Sequence, residues 1–206
     1  MNQVNMCDSR YEILKILKKE RCTVDDLSSK IGISPTAVRQ HLTILEGESL
    51  VGRETLKEGI GRPKVIYTIT PQAEKLFPKF YSLLATCLIE EILDECGEDK
   101  VEILLKNIGI RFSQPYLGRV AGKSTEERIC EVTNIMNEWG AYASVEDDGR
   151  FSLIKNYNCT FYEVAQKYPY VCNVHKTFLE LLLEQNPEKK ASMAKGDDYC
   201  AYKIRQ

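Results

Sequence analysis

Apolar residues recur three and four positions apart in three successive stretches near the N-terminus: Ile13, Leu14, Ile16 and Leu17; Val24, Leu27 and Ile31; Val38, Leu42 and Leu45. That spacing lines each set along one face of a helix. The breaks are chemically marked. Thr23 stands where it can cap the second helix, Gly32 ends it, and Ser34 followed by Pro35 opens the third. Two helices joined by a tight glycine turn predict a helix-turn-helix. Strand-like runs at 51–56 and 65–69, joined by a glycine-rich tip at 59–63, then predict a hairpin and so a winged helix.

From Pro71 onward, Leu76, Phe80, Leu83, Leu84, Cys87, Leu88 and Ile92 predict one long amphipathic helix. A single apolar stripe leaving a small domain needs a partner. Helix-turn-helix proteins commonly read two half-sites as two-fold dimers, so the expected partner is the same helix of a second copy. Further helices are predicted at 101–112 and at 125–138, the latter capped by Ser124. Alternating residues about Asp148-Gly149 predict a hairpin, a helix follows near 171–183, and the closing run "YCAYKIR" can join the hairpin as a third strand. The expected fold class is mainly α with α+β parts. It divides into a winged helix-turn-helix domain at 1–71, a linking and dimerisation helix at 72–97, and a C-terminal α+β domain with a small antiparallel sheet at 98–206.

The length of 206 residues accommodates two domains, and the net charge of −2 gives no global reason to bind a polyanion. The average conceals an asymmetry. Residues 1–71 hold 11 Lys+Arg against 9 Asp+Glu, and the remainder 17 against 21, so a nucleic-acid face is expected early in the chain. The opening "MNQVNMCDSRYEILKILKK" lacks the apolar stretch and cleavage site of a signal peptide, and no later run is long and apolar enough to span a bilayer. The chain reads as cytoplasmic, without a membrane partner. It contains no phosphate-binding glycine loop, nucleophile elbow or His-containing catalytic motif, and is not expected to be an enzyme.

With Val38, Leu42 and Leu45 inward, Thr36, Arg39, Gln40 and Thr43 are left on the outer face of the third helix. Arg can bond a guanine edge bidentately, Gln an adenine edge, and Thr can meet a thymine methyl or a phosphate. Ser34, Thr36 and Lys30 are suited to phosphates, and Arg62 and Lys64 at the hairpin tip place positive charge near a minor groove. The expected partner is double-stranded operator DNA. His41 is expected to be a surface or core-edge residue.

Eight cysteines in a reducing compartment cannot be assumed to pair. Cys159 and Cys172 are separated by twelve residues, and Cys172 and Cys200 by twenty-seven, which is not the close pairing of a zinc ribbon. Thr160 and Glu163 form a possible capping box, which would put Cys159 just before a helix N-terminus, where the dipole favours a thiolate. Cys172 would occupy the first turn of the next helix, after Pro169. Cys200 shares a strand face with Tyr202 and Ile204 and also reads as a small buried hydrophobe. Three-thiolate ligation and core packing both stand on this pattern. If the thiolates converge, soft sulfur suits an iron–sulfur cluster, with Phe161, Tyr162 and Tyr199 as aromatic cover. Cys7, Cys22, Cys87, Cys96 and Cys130 read as packing or surface residues.

The layout resembles the SufR-like group of winged-helix regulators, within the ArsR-type helix-turn-helix superfamily. The residues that carry the likeness are "GRPKVIYTIT", "NYNCTFYEVAQKYPYVC" and "GDDYCAYKI", and it extends over nearly the full chain. The resemblance implies a dimeric repressor of iron–sulfur cluster assembly genes, with an oxygen-sensitive [4Fe-4S] cluster on Cys159, Cys172 and Cys200 of each subunit. Some relatives offer another cysteine between the second and third ligands; "LLLEQNPEKKASMAKGDD" has none. His175, three residues after Cys172 on the same helix face, is a possible fourth ligand; Asp197, Asp198, Glu163 and an external thiol are alternatives. A [2Fe-2S] cluster or zinc also remains open. The competing function is a winged-helix regulator that senses zinc or a small organic effector and uses its cysteines structurally.

Overall fold

A computed structural model describes residues 8–56 and 63–206 and divides the chain into two compact units, Met1–Lys79 and Phe80–Gln206. The first unit opens with α1 (Asp8–Leu17), α2 (Val24–Ile31) and α3 (Pro35–Gly47), followed by the antiparallel strands β1 (Val51–Leu56) and β2 (Lys64–Ile69). Its helix boundaries follow the sequence signals. Thr23 accepts from the Asp26 backbone N–H at 3.2 Å, and the Asp26 carboxylate accepts the Thr23 N–H at 2.9 Å, a closed capping box. Gly32 turns the chain at φ 77°, a conformation that costs a residue with a Cβ, and Ser34 caps α3 through the Ala37 N–H at 3.2 Å. Ile13, Leu14, Leu27, Val38, Leu42 and Leu45 are wholly or almost wholly buried between the helices.

Two expectations change at the end of this unit. Residues 72–79 do not begin the long helix. They form a short 3₁₀ turn, Ala73–Leu76, and an extended segment whose Ala73, Leu76 and Phe77 pack on the first core, so the division falls eight residues later than the predicted 71/72. Pro78 explains the delay, because the residue before a proline is pushed out of helical geometry. The helix itself, α4, spans Tyr81–Cys96 and belongs to the second unit rather than forming a separate linker. Its buried side is Ala85, Ile89, Ile92 and Leu93, whereas Leu83, Leu84, Cys87 and Leu88 of the predicted stripe are exposed.

The second unit continues with α5 (Glu98–Ser113), a 3₁₀ turn, the single-turn α6 (Leu117–Val120) and α7 (Thr125–Glu138), then β3 (Ala143–Asp147) and β4 (Phe151–Asn156). α8 (Tyr162–Lys167) leads through a 3₁₀ turn at Pro169–Val171 into α9 (Cys172–Leu183), and β5 (Glu188–Ala191) and β6 (Cys200–Arg205) close the chain. The sheet is antiparallel in the order β3-β4-β6-β5. The closing strand joins the hairpin as expected, and β5 is a fourth strand that its "EKKA" sequence does not announce. α7 and α9 cover the sheet around Ile135, Met136, Ile154, Phe178, Leu179, Leu182 and Tyr202.

The buried positions of α5 are Val101, Leu105, Gly109 and Ser113, one every four residues, and they run along α9. At Gly109 the helices come so close that a Cβ would lie 2.7 Å from the Val174 carbonyl oxygen and 2.8 Å from the Thr177 Cβ. α9 is thereby fixed by backbone contact along the segment that begins with Cys172.

Candidate thiol site and nucleic-acid interface

The sheet register brings two distant cysteines together. Asn156, the last residue of β4, pairs directly with Cys200, the first of β6, and Cys159 lies three residues beyond Asn156. The intervening turn is tied down. The Asn158 N–H donates to the Ala141 carbonyl at 2.9 Å, its amide side chain donates to the Gly140 carbonyl at 2.7 Å, and the Tyr162 N–H closes onto the Cys159 carbonyl at 3.0 Å. The Cys200 sulfur accepts the Met193 N–H at 3.4 Å, and Cys159 is close enough to Cys200 for each to influence the other's ionisation.

These influences divide the two thiols. Cys159, and after it the Met193 N–H, lower the Cys200 thiol below the ordinary range against the opposing effect of burial. Cys200 and then burial push the Cys159 thiol up. This reverses the expectation at Cys159: Thr160 and Glu163 form no capping box, because α8 starts at Tyr162 with Phe161 at its cap position and no side-chain cap bond. Cys172 is the first residue of α9, as predicted, and is half-buried.

All three cysteines act on one aromatic ring. Tyr202 is buried, two residues after Cys200, and its phenol is raised first by burial and then through space by Cys172, Cys200 and Cys159. The predicted cover is only partly realised, since Tyr162 is 41% exposed and turns its hydroxyl to Gln166. Among the described residues, no group of three or more His, Cys, Asp or Glu side chains is placed to hold a single metal ion. Cys200 is the strongest influence on Cys159, and Cys172 acts on it more weakly, through space.

His175 lies one turn along α9 from Cys172, its ring edge-on to Tyr202 at 5.6 Å and 6.1 Å from Phe178. The residue is half-buried, but its Nε2 is shut off from solvent and has no hydrogen-bond partner, alone among buried side-chain nitrogens and oxygens of the described residues. Burial, and secondarily the Lys189 ammonium, lower the imidazole to about 4, so it is neutral at neutral pH. The carboxylates that stood as alternatives are exposed: Glu163, Asp198, and Asp197, which caps the Ser192 N–H at 2.7 Å. Sequence reasoning did not find Met193 or the place of Tyr202; Asn158 stands directly before Cys159 in the "NYNCTFYEVAQKYPYVC" stretch.

Of the remaining cysteines, Cys22 is in the first core, and Cys87, Cys96 and Cys130 are exposed; Cys7 lies outside the described residues. On α3, Thr36, Arg39, Gln40 and Thr43 are exposed as predicted, and His41 is intermediate. Ser34 is exposed and accepts the Ala37 N–H as the cap, and Thr43 donates its hydroxyl to the Arg39 carbonyl at 2.9 Å. Arg39 and Gln40 enter no side-chain hydrogen bond or ion pair among the described residues. Lys64 is exposed at the start of β2, Lys30 pairs with Glu20, and Arg62 lies outside the described residues.

Residues 7–52 match the family model of the bacterial regulatory protein, arsR family. The first unit thus carries an ArsR-type helix-turn-helix. A regulatory-protein match agrees with the expectation of a non-enzyme, while residues 53–206 lie outside it. No curated protein matches the chain. Among solved structures, a mutant of Lactococcus lactis ZitR is 18% identical with a TM-score of 0.32, over 55% of this chain and 78% of that one. A ZitR mutant in complex with DNA gives 17% and 0.32 over 55% and 77%. Bacillus subtilis PadR in complex with operator DNA gives 14% and 0.32 over 66% and 93%. Similarities at this level say nothing of function. No helix of the described residues is long and apolar enough to cross a membrane.

Proposed function

We propose that this chain is a DNA-binding transcriptional regulator, a homodimer on operator duplex, that represses iron–sulfur cluster assembly genes under the control of a [4Fe-4S] cluster on Cys159, Cys172 and Cys200. The observation that carries the reading is the register that pairs Asn156 with Cys200 and so brings Cys159, in the turn after β4, to the start of β6, with Cys172 half-buried at the head of α9 in the same unit. These cysteines belong to a chain whose first unit matches a regulatory-protein family. Three soft sulfur donors fit an iron–sulfur group, and a buried nitrogen without a partner, on His175 one turn along α9 from Cys172, fits a site with one more ligand to give. When bound, such a cluster supplies an oxygen-labile tie between the three elements.

The chain's own residues do the rest. The Cys200 thiol is lowered chiefly by Cys159 and then by the Met193 N–H, Tyr202 is buried two residues on, and the α5–α9 contact holds Cys172. On α3, Arg39 and Gln40 present donors to base edges, Thr43 is exposed beside them, and Thr36 and Lys64 serve phosphates. A two-fold dimer reads half-sites roughly 34 Å apart, so a constraint that alters their spacing alters affinity.

The test is iron and acid-labile sulfide per chain, with a visible spectrum, on protein purified without oxygen, beside Cys159→Ser. Matched iron and sulfide that are lost in the variant support the reading. Operator binding is then compared with and without the cluster on a duplex selected from a random library. Zinc in place of iron, or no metal after reconstitution, sinks it.

A further inference from the structure

We infer that the Nε2 of His175 is the fourth ligand of the cluster proposed above, an inference that rests on that reading. A buried polar atom without a partner carries a desolvation penalty, and native interiors rarely tolerate one without a compensating role. Nε2 of His175 is such an atom, enclosed between the rings of Phe178 and Tyr202. Its position is specific. It stands three residues after Cys172 on α9, and its ring lies edge-on to Tyr202, two residues after Cys200 on β6.

The competing side chains have other occupations. Asp197 is committed to the Ser192 N–H, while Asp198 and Glu163 are exposed, so water satisfies them. Their hard oxygens also suit a cluster iron less well than an imidazole does. A core-edge histidine with a merely structural role would turn its ring nitrogen to a carbonyl, a hydroxyl or solvent, and Nε2 does none of these.

The experiment uses the full chain, reconstituted without oxygen, with histidine labelled by ¹⁵N, and pulsed electron paramagnetic resonance of the dithionite-reduced form. A directly bonded nitrogen gives a resolved coupling that changes with the label; wild type is expected to show it and His175→Ala to lose it. His175→Cys should retain iron and sulfide, lose the nitrogen coupling and have a lower midpoint potential, since thiolate in place of imidazole lowers it. Trp139 fluorescence of each variant checks that the second unit is folded. A wild-type cluster without nitrogen coupling, or coupling that persists in His175→Ala, overturns the inference and leaves the cluster reading intact. Wild type that takes up no iron and sulfide overturns both.

Discussion

Gly109→Ala tests the contact on which the position of Cys172 depends. In an exposed helix the change stabilises by up to about 1 kcal/mol, because alanine has the higher helix propensity. At Gly109 the new methyl would sit 2.7 Å from the Val174 carbonyl oxygen and 2.8 Å from the Thr177 Cβ, so α9 itself must shift. Overpacking of this kind costs about 1–3 kcal/mol, and with a backbone atom as the obstacle the upper end applies. The net is a loss of roughly 2 kcal/mol. At a urea slope of about 2 kcal/mol/M, the midpoint falls by about 1 M. Trp139, the only tryptophan, lies in the second unit with its indole N–H on the Tyr116 hydroxyl at 2.9 Å and its ring 4.5 Å from Phe178, so its fluorescence follows that unit's unfolding. Gly118→Ala on α6 is the control: a Cβ there meets nothing within 4 Å, and the midpoint should stay or rise. If Gly109→Ala behaves like Gly118→Ala, α5 and α9 do not approach as described, and the placement of Cys172 loses its basis.

Arg39→Ala should weaken binding to a selected operator by roughly ten- to a hundredfold and relax selectivity at one position, whereas Lys64→Ala should weaken all duplexes alike and reduce the salt slope by about 1; titrations at several salt concentrations distinguish them. Thr23→Ala removes the capping box and should cost about 1 kcal/mol, read as faster hydrogen exchange in α2. The same box holds the Asp26 carboxylate low, chiefly through the Thr23 hydroxyl, so its contribution is present above the ordinary carboxylate pKa and is lost as pH falls through the lowered one; protection of the α2 amides, relative to their intrinsic exchange rates, should fall in acid, and less so in Asp26→Asn. Leu84 and Leu88, 58% and 54% exposed on the outer face of α4, are the proposed dimer contact, and the double change to Glu should give a folded monomer by light scattering; a dimer that survives it places the interface elsewhere.

The first unit is legible in sequence because its signals are local. Thr23, Gly32 and Ser34-Pro35 each act within one turn of the chain, and the helices start and stop where these residues direct. The second unit is less so wherever tertiary contacts decide. The stripe from Leu76 to Ile92 has helical spacing throughout, yet Pro78 divides it, and the face that is buried belongs to Ala85, Ile89 and Leu93. β5 is made of Glu, Lys and Ala, poor strand formers, and is extended because β6 offers an edge to pair with. The thiol site lies further from the reach of pattern. Twelve and twenty-seven residues intervene between its cysteines, and the pairing of Asn156 with Cys200 brings Cys159 to Cys200. Spacing alone singled out His175, but its lack of a partner is a property of the packed unit.

The three cysteines are not held equally. Cys200 begins an interior strand and pairs with Asn156 of β4, and the next residue, Ala201, pairs with both Lys155 of β4 and Ala191 of β5. Cys172 heads a helix braced against α5 by backbone contact at Gly109. Cys159 sits in an irregular turn kept by a few hydrogen bonds, each worth about 1 kcal/mol net, and is the least costly to displace. The elements beyond it are also joined by polar contacts. α8 follows at once, and at its end Lys167 pairs with Glu90 of α4, while the Tyr168 hydroxyl donates to the same carboxylate at 3.0 Å. Glu90 lies two residues past Leu88 on the helix whose outer face is apolar and exposed. A change in what holds Cys159 is therefore borne first by the turn and α8, and next by α4, while the sheet and the α5–α9 pair keep the other two thiols where they are.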